Sequence, residues 1–299
     1  MSPVELLSPE SRNLLARWNA SGPPLRPSSE DIEVMTRCWS DGKGDRVLVQ
    51  GATPELVDLA LRKRASRVIT MDWDAAMFPA MRCLGKEDWS QVESVVCDWR
   101  TFMPELEGAL DLVLGDCSLT MLVFPEDWEQ IFRILQRYLV PGGRVIMRLP
   151  FQLQEPLDFN QYLGKTIARV EEECSGASPD RRAALLRGLT SEIRSATGFV
   201  SADASGAVDL DRHAALVRFC WAELVARFGT WAEWETLDPF LKPETEIRKG
   251  IRTRKAVPSW EAAVRLMKEC GFCVRHEERS GTRPVPGATR VFGAERVDE

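Results

Sequence analysis

Apolar residues along this chain follow two periods, and the change between them marks its organisation. From Asp45 onward, short β-branched and leucine-rich runs alternate with amphipathic stretches. Arg46–Gln50 reads as a buried parallel strand. Thr53-Pro54 then reads as a helix start, with the proline placed where its missing N–H costs nothing. Leu56, Leu59, Ala60 and Arg64 carry that helix. A second strand spans Arg67–Met71 and ends in Asp72. The helix expected over 74–84 contains Pro79, which argues for a bend or an early stop. A third strand, Val92–Cys97, ends in Asp98, and a fourth, Leu110–Leu114, runs into Gly115-Asp116. A helix over Trp128–Leu139 closes at Pro141-Gly-Gly143, and Arg144–Leu149 is a fifth strand. Strands alternating with helices predict βαβ units in an α/β fold, a doubly wound, mostly parallel sheet. Right-handed crossovers then fix most of the topology.

The alternation breaks at Pro150. Residues 151–257 show helical periodicity and almost no strand signal, with helices expected over 158–174, 178–196 and 209–228. The α/β pattern resumes at Pro258-Ser259 with a helix through Cys270 and a Gly271 cap. Two β segments follow, Phe272–Ser280 and Ala288–Val297, joined by the turn-rich Gly281–Gly287, which predicts a C-terminal antiparallel hairpin. At the other end, 4–18 and 29–39 read as helices flanking a rigid connector, Gly22–Pro27. Ser28 or Ser29 caps the second helix. The organisation expected is an N-terminal helical segment (1–39), an α/β core (40–150 and 258–299) and a helical insertion (151–257).

Composition narrows the partners. The chain of 299 residues is 44% apolar and 28% charged, ordinary values for a globular protein, and its formal net charge is −6. A protein that neutralises many phosphates is usually basic, so nucleic acid is a disfavoured partner. The N-terminal MSPVELLSPESRN has no basic segment followed by an apolar run, and no secretory leader is expected. No apolar run approaches the roughly 20 residues of a membrane helix. Eight scattered cysteines, mostly in apolar surroundings, suit a reducing, cytoplasmic setting. Cys270-Gly-Phe-Cys273 lacks a second ligand pair and reads as a helix end, cap and strand start, so no metal site is expected.

Ligands of open α/β sheets bind outside the carboxyl ends of the strands. Those ends carry Gly51-Ala-Thr53, Asp72-Trp73, Asp98-Trp99 and Asp116-Cys-Ser118. Three aspartates and two tryptophans can build a nucleoside site. One carboxylate accepts from ribose hydroxyls, another accepts from an exocyclic amine, and an indole stacks on a purine. Asp72 follows Gly51 by 21 residues, against about 20 for a ribose-binding acid. A single such aspartate is ordinarily a turn residue, and it is the set that points to a ligand. The loop lacks the second and third glycines of GxGxxG and places acidic Glu55 near would-be phosphates, which counts against NAD and FAD.

At this point the core resembles a class I S-adenosylmethionine-dependent methyltransferase, a Rossmann-like fold. VLVQGATPEL (47–56), VITMDWDAAM (68–77), VVCDWRTF (95–102), DLVLGDCSLTML (111–122) and YLVPGGRVIMRL (138–149) are similar to its successive motifs, in order. GATPEL and GDCSLT further resemble a bacterial subgroup in which G-x-TPEL replaces the glycine-rich loop. The resemblance implies S-adenosylmethionine as cofactor, with Asp72 binding the ribose and Asp98 and Trp99 beside the adenine. It also implies Gly51, Ala52, Thr53, Trp73, Asp116, Cys117 and Ser118 around the rest of the cofactor. Gln50 stands where the family carries an acidic residue ahead of its glycines. Arg26 reaches the cofactor carboxylate if the N-terminal helices fold over the site, and otherwise faces solvent.

Methyl transfer from a sulfonium is an in-line displacement that needs alignment and exclusion of water, with a general base optional. Asp116 is the candidate catalytic carboxylate, or else holds cofactor or turn. His213 and His276 read as structural. The fourth motif lacks the Asn/Asp-Pro-Pro-aromatic sequence that resembles amino-methylases, so a small-molecule acceptor is favoured, and Arg248–Lys255 allows an anionic one. Tyr162, Phe219, Trp221, Trp231, Trp234 and Phe240 either line an acceptor pocket in the insertion or form its core. A non-catalytic cofactor-binding relative and a methyltransferase acting on protein or RNA through 248–255 are the alternatives.

Overall fold

The computed structural model describes residues 3–40, 44–235, 256–279 and 288–297. After a short 3-10 turn, Pro3–Leu6, come helices α1 (Pro9–Ala20) and α2 (Ser29–Ser40). Ser28, of the two candidate serines, caps α2. Its hydroxyl accepts from the Asp31 N–H (3.1 Å), while Asp31 Oδ2 accepts from the Ser28 N–H (2.8 Å).

The core alternates β1 (Arg46–Gln50), α3 (Pro54–Arg62), β2 (Arg67–Asp72), α4 (Met77–Arg82), β3 (Glu93–Val96), β4 (Leu110–Asp116), α5 (Glu126–Tyr138) and β5 (Leu139–Pro150). Then come α6 (Phe159–Cys174), α7 (Pro179–Val200), α8 (Leu210–Phe228) and a single turn α9 (Ala232–Glu235). The chain closes with α10 (Trp260–Glu269), β6 (Phe272–Arg279) and β7 (Thr289–Arg296). Seven strands form one sheet in the order β3-β2-β1-β4-β5-β7-β6. β1 to β5 run parallel, and β7 lies antiparallel between β5 and β6. This is the Rossmann-like, doubly wound sheet with an antiparallel C-terminal pair that the alternation predicts.

Each face of the sheet buries a continuous apolar cluster. Trp128, Ile131, Phe132 and Leu135 of α5 join Ala263 and Leu266 of α10 on one face. Val34 and Met35 of α2, Leu56 and Val57 of α3, and Phe78 and Met81 of α4 cover the other. The helices after β5 carry their own cluster, in which Leu163, Ile167, Leu186, Leu189, Leu224 and Phe228 meet. The N-terminal connector touches this unit directly, through a hydrogen bond from the Gly22 N–H to Ser191 Oγ (3.0 Å).

Several elements differ from expectation: the first helix starts at Pro9 rather than residue 4, behind a 3-10 turn, and α3 stops at Arg62, before Arg64, which has a positive φ of 58°. α4 starts at Met77 rather than near residue 74. Asp72 and Asp74 each accept the N–H two residues on (2.9 and 3.0 Å), and such Asx turns hold the chain out of a helix. Pro79 then falls in the first turn, where its missing N–H is harmless. Pro141-Gly-Gly143 does not close a helix but lies inside β5. Pairing steps from Leu110↔Leu139 to Leu112↔Arg144, a bulge that Gly142 permits at φ 73°. α7 runs on to Val200, one turn past the expected end. The turn 281–287 lies outside the described residues.

Candidate active site

The loop after β1 is shaped by its one glycine. Gly51 sits at φ +94°, a conformation L side chains rarely adopt, and its N–H donates to the Met71 carbonyl of β2 (2.8 Å). That carbonyl also accepts from Trp99 Nε1 (2.7 Å), so one backbone oxygen ties the loop to the indole. A side chain begun at Gly51 would lie 3.9 Å from Asp72 Oδ2, 3.9 Å from the Trp99 ring and 4.0 Å from Thr53 Oγ1. Gly51, Thr53, Asp72 and Trp99 therefore surround one point above the strand ends. Thr53 opens α3 but makes no capping hydrogen bond with its side chain, so its hydroxyl is not consumed by the helix. The space for a Cβ is ordinary, and the obstacle is the backbone. Gly51→Ala is expected to cost roughly 1–3 kcal/mol in chemical denaturation and to weaken ligand binding at this loop.

Asp72 is buried, and that burial pushes its carboxyl up to about 6, against the opposing pull of the Asp74 N–H. A ligand hydroxyl donating to Asp72 favours the ionised form. Affinity for such a ligand should rise about tenfold per pH unit below pH 6 and flatten above it. Calorimetric titrations across pH 5–8 check this, and loss of the break in Asp72→Asn assigns it.

Other predicted positions are arranged differently. Ala52 is buried and packs into the apolar cluster with Leu56. Trp73 is 57% exposed, beside exposed Val96 on the neighbouring strand. Asp98 is turned into Arg100, with contacts of 2.6 and 3.0 Å that hold its carboxyl below the usual range. Asp98 is thus engaged by its neighbour Arg100.

The β4 end is tied to β1, to β5 and to the N-terminal segment. Ser118 Oγ donates to the buried Gln50 Oε1 (3.0 Å). Cys117 adopts φ 51°, donates its N–H to the Arg148 carbonyl (2.8 Å), and has its thiol pushed up to about 12 by burial. Asp116, only 2% exposed in its side chain, pairs with Arg148 Nε at 2.5 Å. Burial raises the Asp116 carboxyl, and Arg148 opposes that rise. Arg148 Nη2 donates to the Pro24 carbonyl (2.8 Å), and its Nη1 lies 3.7 Å from Asp31. Arg26, carried on the connector, pairs with Glu55 in the first turn of α3, with Nε to Oε1 at 2.8 Å.

Sequence reasoning missed Arg148, Asp31 and the pairing roles of Gln50 and Glu55. The available signal was Arg148 itself, a lone charge in the otherwise apolar run VIMRL. His213 is buried in α8, and His276 lies on β6 at 3.6 Å from Glu278. Trp221 stacks near Trp234 (5.0 Å) and Trp231 meets Phe228 (5.1 Å), all within the helical cluster. Phe219 is exposed, and Tyr162 packs by Ala196 and Ala288. Phe240 and the basic run 248–255 lie outside the described residues.

Comparison with known proteins bears on the class. Residues 49–147 match the model of the methyltransferase domain. That span holds Gly51, Asp72, Trp99 and Asp116. That third of the chain thus carries a methyltransferase domain, which supports an enzyme of that type. Solved structures share the fold at low identity. A Rhodobacter sphaeroides protein described as a Zn-dependent alcohol dehydrogenase is 18% identical, with 96% of this chain and 97% of that one covered and a TM-score of 0.57. The N-methyltransferase NodS of Bradyrhizobium japonicum, in complex with S-adenosyl-L-homocysteine, is 11% identical over 97% and 100% of the two chains, with a TM-score of 0.50. A chain of the Haloferax volcanii complex between the Trm112 methyltransferase activator and a methyltransferase is 12% identical over 90% and 89%, with a TM-score of 0.50. At these identities the likeness is one of fold alone. A search of curated proteins returns no match to this sequence. Among the described residues no group of three or more His, Cys, Asp or Glu is placed to hold a metal ion, and no helix is long and apolar enough to cross a membrane.

Proposed function

We propose that this enzyme methylates a small-molecule acceptor bound between the strand ends and the helical segment 151–257. The observation that carries the reading is the convergence of Gly51, Thr53, Asp72 and Trp99 on one point, at a loop with no phosphate-binding glycines. Asp72 would accept from the ribose hydroxyls, and Trp99, fixed by its bond to Met71, would wall the adenosine. Trp73 and Val96 would offer an apolar surface to the base. S-adenosylmethionine, the cofactor of this reading, would supply a methyl group already activated by a sulfonium charge, for in-line displacement.

The chain's own part is alignment and exclusion of water. Residues 1–39 act as a cover, supported by the links from Pro24 to Arg148 and from Gly22 to Ser191. Residues 40–150 and 258–299 act as the core, and 151–257 as the acceptor-side cap. Asp116, held against Arg148, serves to fix the β4 loop rather than to collect a proton, because its carboxylate is already engaged by the buried guanidinium. The acceptor then brings its own nucleophilicity. A cytoplasmic setting fits the eight free thiols.

The test is transfer of labelled methyl into a cell extract split by size. Label in the small-molecule fraction supports the reading, and label confined to protein or RNA overturns it.

A further inference from the structure

The amino-acid end of the cofactor is a zwitterion, an ammonium and a carboxylate on one carbon. The acidic residue and glycines that the resemblance would supply near that end are absent, with Gln50 and Ala52 in their places. Gln50 is committed elsewhere, accepting from Ser118, and Ala52 is buried in the core. Some other pair of groups must meet opposite charges at this end.

Arg26 and Glu55 lie beside the β1 loop. Glu55 lies in the first turn of α3, directly after the Gly51-Ala-Thr53 loop, and its charge is felt by Asp116 at the neighbouring β4 end. Arg26 reaches it from the connector. Arg26 Nε and Nη2 both donate to the same oxygen, Glu55 Oε1, while Nη1 donates to the Trp18 carbonyl (3.3 Å). The other oxygen, Oε2, is buried with no hydrogen-bond partner among the described residues. A buried carboxylate oxygen without a donor is costly, and a native protein retains one where something else supplies the donor.

We infer that the Arg26–Glu55 pair is a clamp for the amino-acid end of the cofactor. Glu55 Oε2 accepts from the ammonium, and Arg26, drawn over by the connector, donates to the carboxylate. The clamp takes the place of the missing glycine-rich loop and its acid. It rests on the reading of the strand-end grouping as an S-adenosylmethionine site.

Two ligands separate the clamp from that reading. S-adenosylhomocysteine carries the zwitterion. 5′-Methylthioadenosine has the same nucleoside and thioether without it. The expected result is that wild-type protein binds both and prefers S-adenosylhomocysteine by more than tenfold. Glu55→Gln should erode that preference about 30-fold, the scale of a lost charge-assisted hydrogen bond, while its 5′-methylthioadenosine affinity stays unchanged. Retained binding of the smaller ligand also reports that the variant is folded. Where Glu55→Gln does not fold, the charge-swapped Arg26→Glu/Glu55→Arg keeps the pair but inverts it, and should likewise lose the preference. Undiminished preference in the foldable variant overturns the clamp and leaves the site reading standing. Binding of neither ligand to wild type overturns both.

Discussion

Replacing Arg148 with methionine should lower the unfolding free energy by about 3–5 kcal/mol, the cost of stranding buried charge. The Arg148 side chain is 1% exposed and lies against Asp116 and Asp31, which are 2% and 4% exposed. Burial works against the Arg148 charge, yet the Asp116 carboxylate outweighs it and keeps the guanidinium protonated. Removing the cation takes from two buried carboxylates the guanidinium they share, and also frees the Pro24 carbonyl. The same rule gives the control, since replacing both partners of a buried pair with apolar groups is often neutral. Arg148→Met/Asp116→Leu should therefore recover much of the loss in urea denaturation. A double variant no more stable than the single one would show that Asp31, not Asp116, is the partner that matters. Arg148→Lys should fall between them, because a single ammonium cannot span Asp116 and the Pro24 carbonyl together.

Asp72→Asn should weaken S-adenosylhomocysteine binding about 100-fold by calorimetry, the loss of two hydrogen bonds to a charged acceptor. The free protein should respond in the opposite direction. The folded carboxyl titrates near 6, above its ordinary 3.8. The native state then binds more protons than the unfolded chain between those values, and stability falls as pH rises through that window. At pH 7 the ionised Asp72 is a burden of about 2–3 kcal/mol on the free protein. The amide removes it, so Asp72→Asn should unfold later while binding worse. Such opposed changes mark a group kept for its ligand, whereas a structural carboxylate would lose stability and leave affinity untouched.

The fold was legible because its pattern is redundant. RVLVQ, RVITM and VIMRL are apolar runs that only a parallel sheet buries on both faces, and the βαβ rule orders them. The boundaries that shifted did so through side-chain hydrogen bonds that periodicity does not encode, as in the successive Asx turns of Asp72 and Asp74. Part of the site was legible as well. Gly51, Asp72 and Trp99 meet because the carboxyl ends of adjacent parallel strands must lie side by side. The pairings were not legible. Arg100 engages the carboxylate of Asp98, two residues before it, through contacts that strand periodicity cannot foresee. Arg148 links Pro24 and Asp31 to Asp116 across more than a hundred residues of sequence, and no local signal reports a partner that distant. Trp73 illustrates the same limit: its place at a strand end follows from the pattern, but its exposure follows from the sheet edge beside β3.

The most direct measurement is an isothermal titration of the full chain with S-adenosylhomocysteine at pH 7.5. One-to-one binding, abolished or greatly weakened by Asp72→Asn, is the expected result. No detectable heat at millimolar ligand, or binding indifferent to Asp72, would contradict the placement of the cofactor at the ends of β1 and β2.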